Sequence, residues 1–330
     1  MPNYGHWSTR RSPRTTGRPA VTADLITALA ARATPRDRWL LRMLTEHRVL
    51  TTAQITAIAF TTPRVARARL DMLYQHRAID RSRPTAAPGT GSLPWHWVLD
   101  EAGARILAAD DGQDIKTWGW RRDHATAILA SAKLAHTTGA NHLGVALIAH
   151  ARTHPTTRLL AWWNETRTAA LIGDHVRPDG YLHWTDHTSE IECFLEYDTG
   201  TEPHKTLLTK TDRYTDLAEA TGITLPVLLI VSGPGREAAL SRALAHTGVP
   251  IATTTRPQLA HTGPAAACWQ PLTHTGPRTR LADLTTALAL NPAPVPLHQR
   301  PDAITDRPAP PPTPPSQPAG PSGPPPWAAW

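Results

Sequence analysis

"PRDRWLLRMLTEHRVLTTAQITAIAFTTPRVARARLDMLYQHRAIDRSRP" fills residues 35–84. Trp39, Leu40, Met43 and Leu44 recur at helical spacing, which predicts a first helix from about Pro35 to His47. Thr51 or Thr52 suits the cap of a short second helix, with Ile55 and Ile58 turned inward. Thr61 or Thr62 suits the cap of a third, and Pro63 fits its first turn. On that third helix Ala66, Leu70 and Leu73 share the inner face, while Arg64, Arg67, Ala68, Asp71 and Gln75 share the outer one. Downstream, "AIDRSRP", the Pro/Gly-rich "TAAPGTGS" and "LPWHWVLD" read as strand, loop and strand. "DEAGARILAAD" reads as a closing helix with Asp100 as its cap.

Three helices, a two-stranded wing and a closing helix make a winged helix-turn-helix over residues 35–110. Arginines three apart on an exposed helix suit the major groove, and arginines on a wing strand suit phosphates. Arg64, Arg67 and Arg69 on the helix, and Arg81 and Arg83 on the wing, are therefore the candidate contacts to double-stranded DNA. Such modules also serve protein–protein contact, in which case Arg64 and Arg67 are a solvated face.

Composition agrees with a polyanion partner. Lys+Arg number 34 against 27 Asp+Glu, and the pI is about 9.9. The abundance of Ala, Arg, Thr and Pro also fits a GC-rich coding sequence, a reading that needs no polyanion. Apolar residues make up 40% of 330, enough to bury real cores in about two domains. The two cysteines, Cys193 and Cys268, supply neither a disulfide framework nor a zinc ribbon and fit a reducing cytosol. No apolar run reaches the length of a membrane span, and the N-terminus lacks the apolar core of a secretory signal. The expected location is the cytoplasm, in association with the nucleoid or a plasmid, with no membrane partner.

The flanks are simpler. Arg10, Arg11, Arg14 and Arg18 stand among Pro, Gly, Ser and Thr, and residues 1–34 read as a disordered basic arm. Arg10 and Arg11 are its candidate phosphate or minor-groove contacts. Residues 291–330 hold 15 of the 33 prolines and read as a disordered or polyproline II tail. Trp327 and Trp330 in it suit docking to replication or conjugation proteins. The segment 111–120 reads as the joint before a second domain, 121–290.

That second domain reads as α/β: a helix over "WRRDHATAILASAKLAHTTG", a second over "HLGVALIAHAR", then strands at "TRLLAWWNE", Tyr181–Trp184 and "IECFLEYD". A helix over 202–222, the uninterrupted apolar strand "LPVLLIVS", the helix "GPGREAALSRALAHTG" and the strand "VPIATTT" follow. The chain as a whole is thus α+β, a winged helix followed by a mixed-sheet α/β domain. Its chemistry lies in Asp179, Glu196 and Asp198. Strand alternation sends Glu196 and Asp198 the same way, and oxygen ligands so gathered suit Mg²⁺ or Mn²⁺. Metal-activated water could then attack a phosphodiester. Pro178-Asp179 followed by Glu196-Tyr197 resembles the PD-(D/E)xK nuclease core, of restriction-endonuclease type. That motif wants lysine where this chain has Asp198, so Lys205 or Lys210 on the next helix must supply the cation if the site is active. Without activity no cofactor is expected. Lys210 and Tyr214, four apart, share a helix face.

Smaller signals carry less. His183 and His187 around a turn read as hairpin residues before they read as metal ligands, and "SGPGREAA" reads as a strand-to-helix connection in which Arg236 could meet phosphate. No nucleophilic triad is legible, and Tyr197 and Tyr214 lack the histidine cluster of a relaxase.

Taken together, "LLRMLTEHRVLTTAQITAI", "RARLDMLYQHRAIDRS", "WVLDEAGARIL", "VRPDG", "FLEYDTGTE" and the following Lys and Tyr resemble the replication-relaxation family of actinobacterial plasmids and integrated elements. The resemblance spans roughly residues 36–231, and its second-domain signature falls on Asp179, Glu196, Asp198, Gly200, Glu202, Lys210 and Tyr214. It implies a DNA-binding protein acting in plasmid replication or DNA relaxation. The residues leave two other functions open: a Mg²⁺-dependent endonuclease, and a transcriptional regulator whose second domain senses a ligand or a partner.

Overall fold

A computed structural model of the chain describes residues 18–84, 92–173, 175–200, 203–272, 276–291, 295–303 and 307–315. It is α+β and divides into two compact units, residues 1–135 and 136–330.

The first unit is built from helices with strong local start signals. After α1 (Ala23–Arg32), α2 (Pro35–His47) begins in a reciprocal capping box between Thr34 and Asp37. β1 (Leu50–Thr51) leads into α3 (Thr52–Ala59), whose capping box joins Thr51 and Gln54. The Thr62 hydroxyl accepts from the Val65 N–H to start α4 (Pro63–Gln75), with Pro63 in its first turn. β2 (Ile79–Ser82) and β3 (His96–Leu99) precede α5 (Glu101–Asp110), which Asp100 caps. The three short strands form an antiparallel sheet in the order β1-β3-β2. Leu40, Leu44, Ile55, Ile58, Ala66, Leu70 and Leu73 fill the core.

Two expectations at the edges of this unit are corrected. The arm expected over 1–34 is helical from Ala23: Thr22 caps α1, and Leu29 is fully buried. Just before it, the Arg18 guanidinium sits between Asp80 (2.8 Å) and Asp100 (2.9 Å) and donates to the carbonyls of Tyr74 and Ile79. Arg18 is thereby a structural residue. The joint expected at 111–120 also folds with this unit. α6 (Ile115–Trp118) is capped by Asp114 and ends at the left-handed Gly119, and buried Trp118 donates its indole N–H to Asp111 (2.8 Å). α7 (Arg122–Ala127) and a 3-10 turn follow, and Ile128 packs with Val49 and Val98. Residues 121–135 therefore belong to the first unit rather than the second.

The helix expected over 120–139 breaks at Ser131, which is extended (φ −83°, ψ 143°). Its second half instead runs on as α8 (Leu134–Ala151) through the next expected helix. The second unit holds the rest of α8 and a six-stranded mixed sheet of β4 (Thr157–Asn164), β5 (Gly180–Asp186), β6 (Ser189–Tyr197), β7 (Val227–Val231), β8 (Ile251–Thr255) and β9 (Gln270–Pro271). The strands lie in sequence order; β6, β7 and β8 run parallel and the other neighbours antiparallel. α9 (Glu165–Ile172) intervenes between β4 and β5, an element the sequence reading lacked. α10 (His204–Thr221) crosses from β6 to β7, α11 (Pro234–Leu244) from β7 to β8, and α12 (Arg256–Thr262) and α13 (Leu284–Ala287) follow.

Both sheet faces are covered. α8 lies close enough to the sheet that glycine is required: a Cβ on Gly139 would come within 2.3 Å of the Tyr197 ring, and one on Gly144 within 2.2 Å of the Trp162 indole. On the other face Tyr181, Phe194 and Leu229 pack with Leu207, Tyr214 and Leu217 of α10 and Leu240 and Leu244 of α11. The C-terminal segment is partly built into this face, correcting the expectation of disorder where it is described: Leu297 is buried, as are Pro310, Pro312 and Pro314. Trp327 and Trp330 lie outside the described residues. Among the described residues no helix is long and apolar enough to cross a membrane.

Candidate functional site

The two units present two candidate surfaces. In the first, α4 turns Ala66, Leu70 and Leu73 inward and leaves Arg64, Arg67, Ala68, Asp71 and Gln75 exposed. Neither Arg64 nor Arg67 forms an ion pair among the described residues. Arg69, on the same helix, turns away: its Nε donates to the buried Asp37 (2.9 Å) and its Nη2 to the Arg32 carbonyl (2.8 Å). It braces the start of α2 and is withdrawn from the DNA-contacting set. Arg81 is half-buried, bonded to Asp71 (2.8 Å) and stacked over the rings of Tyr74, Trp95 and Trp97. Arg83 is exposed and also lies over the Trp95 ring, 4.3 Å from its centroid. Arg10 and Arg11 lie outside the described residues.

In the second unit the antiparallel β5–β6 pairing brings Asp179 beside the end of β6. The Asp179 N–H donates to the Leu195 carbonyl (2.9 Å), and its Oδ2 accepts from the Tyr197 N–H (2.8 Å). Its Oδ1 meets Nε2 of His136 on α8 at 3.0 Å. Glu196 points toward α10. Lys210 places its ammonium 2.5 Å from Glu196 Oε2, and the Tyr214 hydroxyl donates to Oε1 at 2.5 Å. The two α10 residues expected to act together thus grip one carboxylate, because four residues make about one helical turn. Lys205 lies on the exposed face of α10.

The environments push these groups apart. Burial raises the Glu196 carboxyl to about 7, with the Lys210 charge opposing and the Asp179 charge adding. Burial alone would raise Asp179 as well, but the His136 hydrogen bond and the Lys210 charge hold it below the ordinary carboxylate range. Burial would lower His136, yet Asp179, aided by Glu196, holds its pKa above that of a free imidazole. One carboxylate is therefore firmly ionised while its neighbour exchanges a proton near neutrality.

Asp198 does not join them. It stands one residue past the end of β6, is wholly buried, and is clamped by Arg236 (Nε–Oδ2 2.8 Å, Nη2–Oδ1 3.2 Å). The expected convergence of Asp179, Glu196 and Asp198 on one metal ion is corrected accordingly: each acid faces its own cation, and the three do not form a ligand set. The same clamp occupies Arg236, a candidate phosphate contact in the sequence. His136, Gly139 and the Arg236 clamp were not legible in the sequence; His136 is one of 17 histidines and sits in no motif.

The family model described as replication-relaxation matches residues 41–228, from within α2 to within β7. The chain belongs to the replication-relaxation family. The match covers the exposed face of α4 and the Asp179–Glu196–Lys210–Tyr214 cluster, and stops short of Arg236. No significant match to this replication-relaxation chain emerged among curated proteins or among solved structures.

Proposed function

We propose that this replication-relaxation protein binds double-stranded DNA of a plasmid or integrated element and acts there in replication or DNA relaxation. The first unit serves as a winged helix-turn-helix and the second as a nuclease-like sheet domain. The observation that carries this reading is the pair Arg64 and Arg67, exposed and without ion pairs among the described residues, opposite the buried face of α4. The antiparallel β2–β3 ribbon, with Arg83 directly after β2, supports it as a wing that reaches phosphate. The test is duplex binding by the full chain, followed by fluorescence anisotropy across a salt series. Affinity should fall log-linearly with salt, with a slope of about −0.9 per phosphate neutralised. A flat salt response overturns the reading. The Pro-rich C-terminal sequence is the proposed contact for other replication or conjugation proteins.

A second reading, a metal-dependent endonuclease, is favoured by one observation: α10 delivers Lys210 to the carboxylate that follows Asp179 in the fold. Asp179 and Glu196 are the residues that would hold Mg²⁺ or Mn²⁺, whose contribution when bound is an activated water. Asp198 is committed elsewhere. On this reading supercoiled plasmid is nicked in Mg²⁺ or Mn²⁺, and Asp179→Asn or Lys210→Ala lowers the rate at least about 100-fold without changing duplex affinity. No nicking by the unaltered chain leaves the first reading, with an inert second unit.

A further inference from the structure

A second cluster lies on the same sheet face as Glu196, four residues back along β6 and so about 13 Å away. His183 on β5 and Glu192 on β6 are register partners, so their side chains stand next to each other. The short turn Leu297–Gln299 sets His298 against them, with the His183 and His298 ring centroids 5.0 Å apart. One ligand atom from each of the three lies within 4.8 Å of the other two, and among the described residues no other His/Cys/Asp/Glu trio does so.

Two features mark this as more than a chance grouping. His183 is 2% exposed, and neither ring nitrogen has a hydrogen-bond partner among the described residues; Glu190 approaches Nε2 to 3.4 Å without making one. A buried imidazole left unsatisfied is unfavourable, and a bound cation would satisfy it. The neighbours, by contrast, are braced. Glu192 Oε1 accepts from the Leu297 N–H (2.6 Å) and from the Tyr181 hydroxyl, which also meets His298 Nδ1 at 3.2 Å. Contacts of this kind, to the partners of a ligand set, fix its orientation.

We propose that His183, Glu192 and His298 form a divalent transition-metal site, with zinc as its occupant. Two imidazoles and one carboxylate match zinc's nitrogen and oxygen preferences, whereas Mg²⁺ and Ca²⁺ take oxygen ligands. Three protein ligands leave a coordination position for water or a further group. The site ties the segment carrying Leu297 and His298 to the β5–β6 hairpin. It is independent of the DNA-binding reading, and His298 lies beyond the residues that the family model matches, so it is assigned to this chain alone.

The experiment strips the full chain with a chelator, reloads it with Zn²⁺, removes free metal, and measures bound zinc by elemental analysis and titration. One zinc per chain is expected, with an affinity about 100-fold lower in His298→Ala and in the isosteric Glu192→Gln. Zinc, but not Mg²⁺, should raise the unfolding temperature of the unaltered chain and leave that of His298→Ala unmoved. The stacked pair His150 and His154 (centroids 3.8 Å apart) is the control, and His154→Ala should keep its zinc. Sub-stoichiometric binding, or zinc retained equally in His298→Ala and Glu192→Gln, or zinc lost only in His154→Ala, overturns the assignment.

Discussion

The full chain carrying Arg64→Ala and Arg67→Ala together is expected to bind duplex DNA at least about 30-fold more weakly, since each arginine at a DNA contact contributes roughly 1–3 kcal/mol. Both side chains sit on the solvent face of α4, whose other face is fixed by buried Ala66, Leu70 and Leu73. Truncating them should therefore leave the unit folded. How the loss is distributed identifies the contact. If both arginines neutralise phosphates, the salt slope becomes shallower by about 2 and all sequences weaken alike. If they read base edges, the slope stays and discrimination between sequences is lost. Arg69→Ala is the instructive control. Its partners are Asp37 and the Arg32 carbonyl, so its effect should appear in thermal stability and not in the salt slope. Full retention of affinity by the double variant removes α4 as the reading element and moves attention to Arg83 and the wing.

What was legible in the sequence was what is local. The starts of α3 and α4 depend on Thr51 and Thr62 bonding within three residues of themselves, and such signals survive without tertiary context. The Lys210–Tyr214 pair was legible for the same reason: four residues on a helix fix a shared face. Asp198 shows where this logic ends. Strand alternation placed it with Glu196, and its N–H still donates to the Ile230 carbonyl of β7 (2.9 Å), but alternation says nothing of which cation each acid will meet. Arg236, from the turn of another crossover, then captures it. His136 and His298 come from elements on either side of the sheet's own sequence, so no spacing rule connects them to Asp179 or Glu192. In α1 the apolar spacing of Leu25 and Leu29 was present, but the basic, Pro- and Gly-rich composition just before it set the boundary of the expected arm too late.

Raising the pH from about 5.5 to about 8 is expected to remove about 2 kcal/mol of the stability that Glu196 contributes, because its folded pKa near 7 stands above the unfolded value of 4.5. The sign follows from which state holds the proton. Between 4.5 and 7 the folded chain keeps Glu196 protonated in its buried setting while the unfolded chain has released that proton. The stabilising contribution is thus complete below the unfolded pKa and is lost as pH rises through the folded one. His136 acts in the same sense, since its raised pKa favours the folded state until the imidazolium deprotonates. Asp179, whose pKa is depressed, acts in the opposite sense but only in acid: its contribution is present above its unfolded pKa and fades as pH falls through the folded one. Within the window tested it contributes no slope. His142, His150 and His298, whose pKa values burial lowers to about 4, oppose Glu196 and His136 there, because the unfolded chain binds those protons first, so the Glu196 contribution is read against a variant that lacks it. Glu196→Gln keeps the shape, the Tyr214 contact and a polar partner for Lys210 while removing the titration. Urea unfolding of the two proteins at both pH values should show the unaltered chain losing about 2 kcal/mol relative to the variant as the pH rises. An equal pH dependence in Glu196→Gln and the unaltered chain would mean that Lys210 holds Glu196 ionised throughout, as a buried ion pair, and that the proton near neutrality belongs elsewhere.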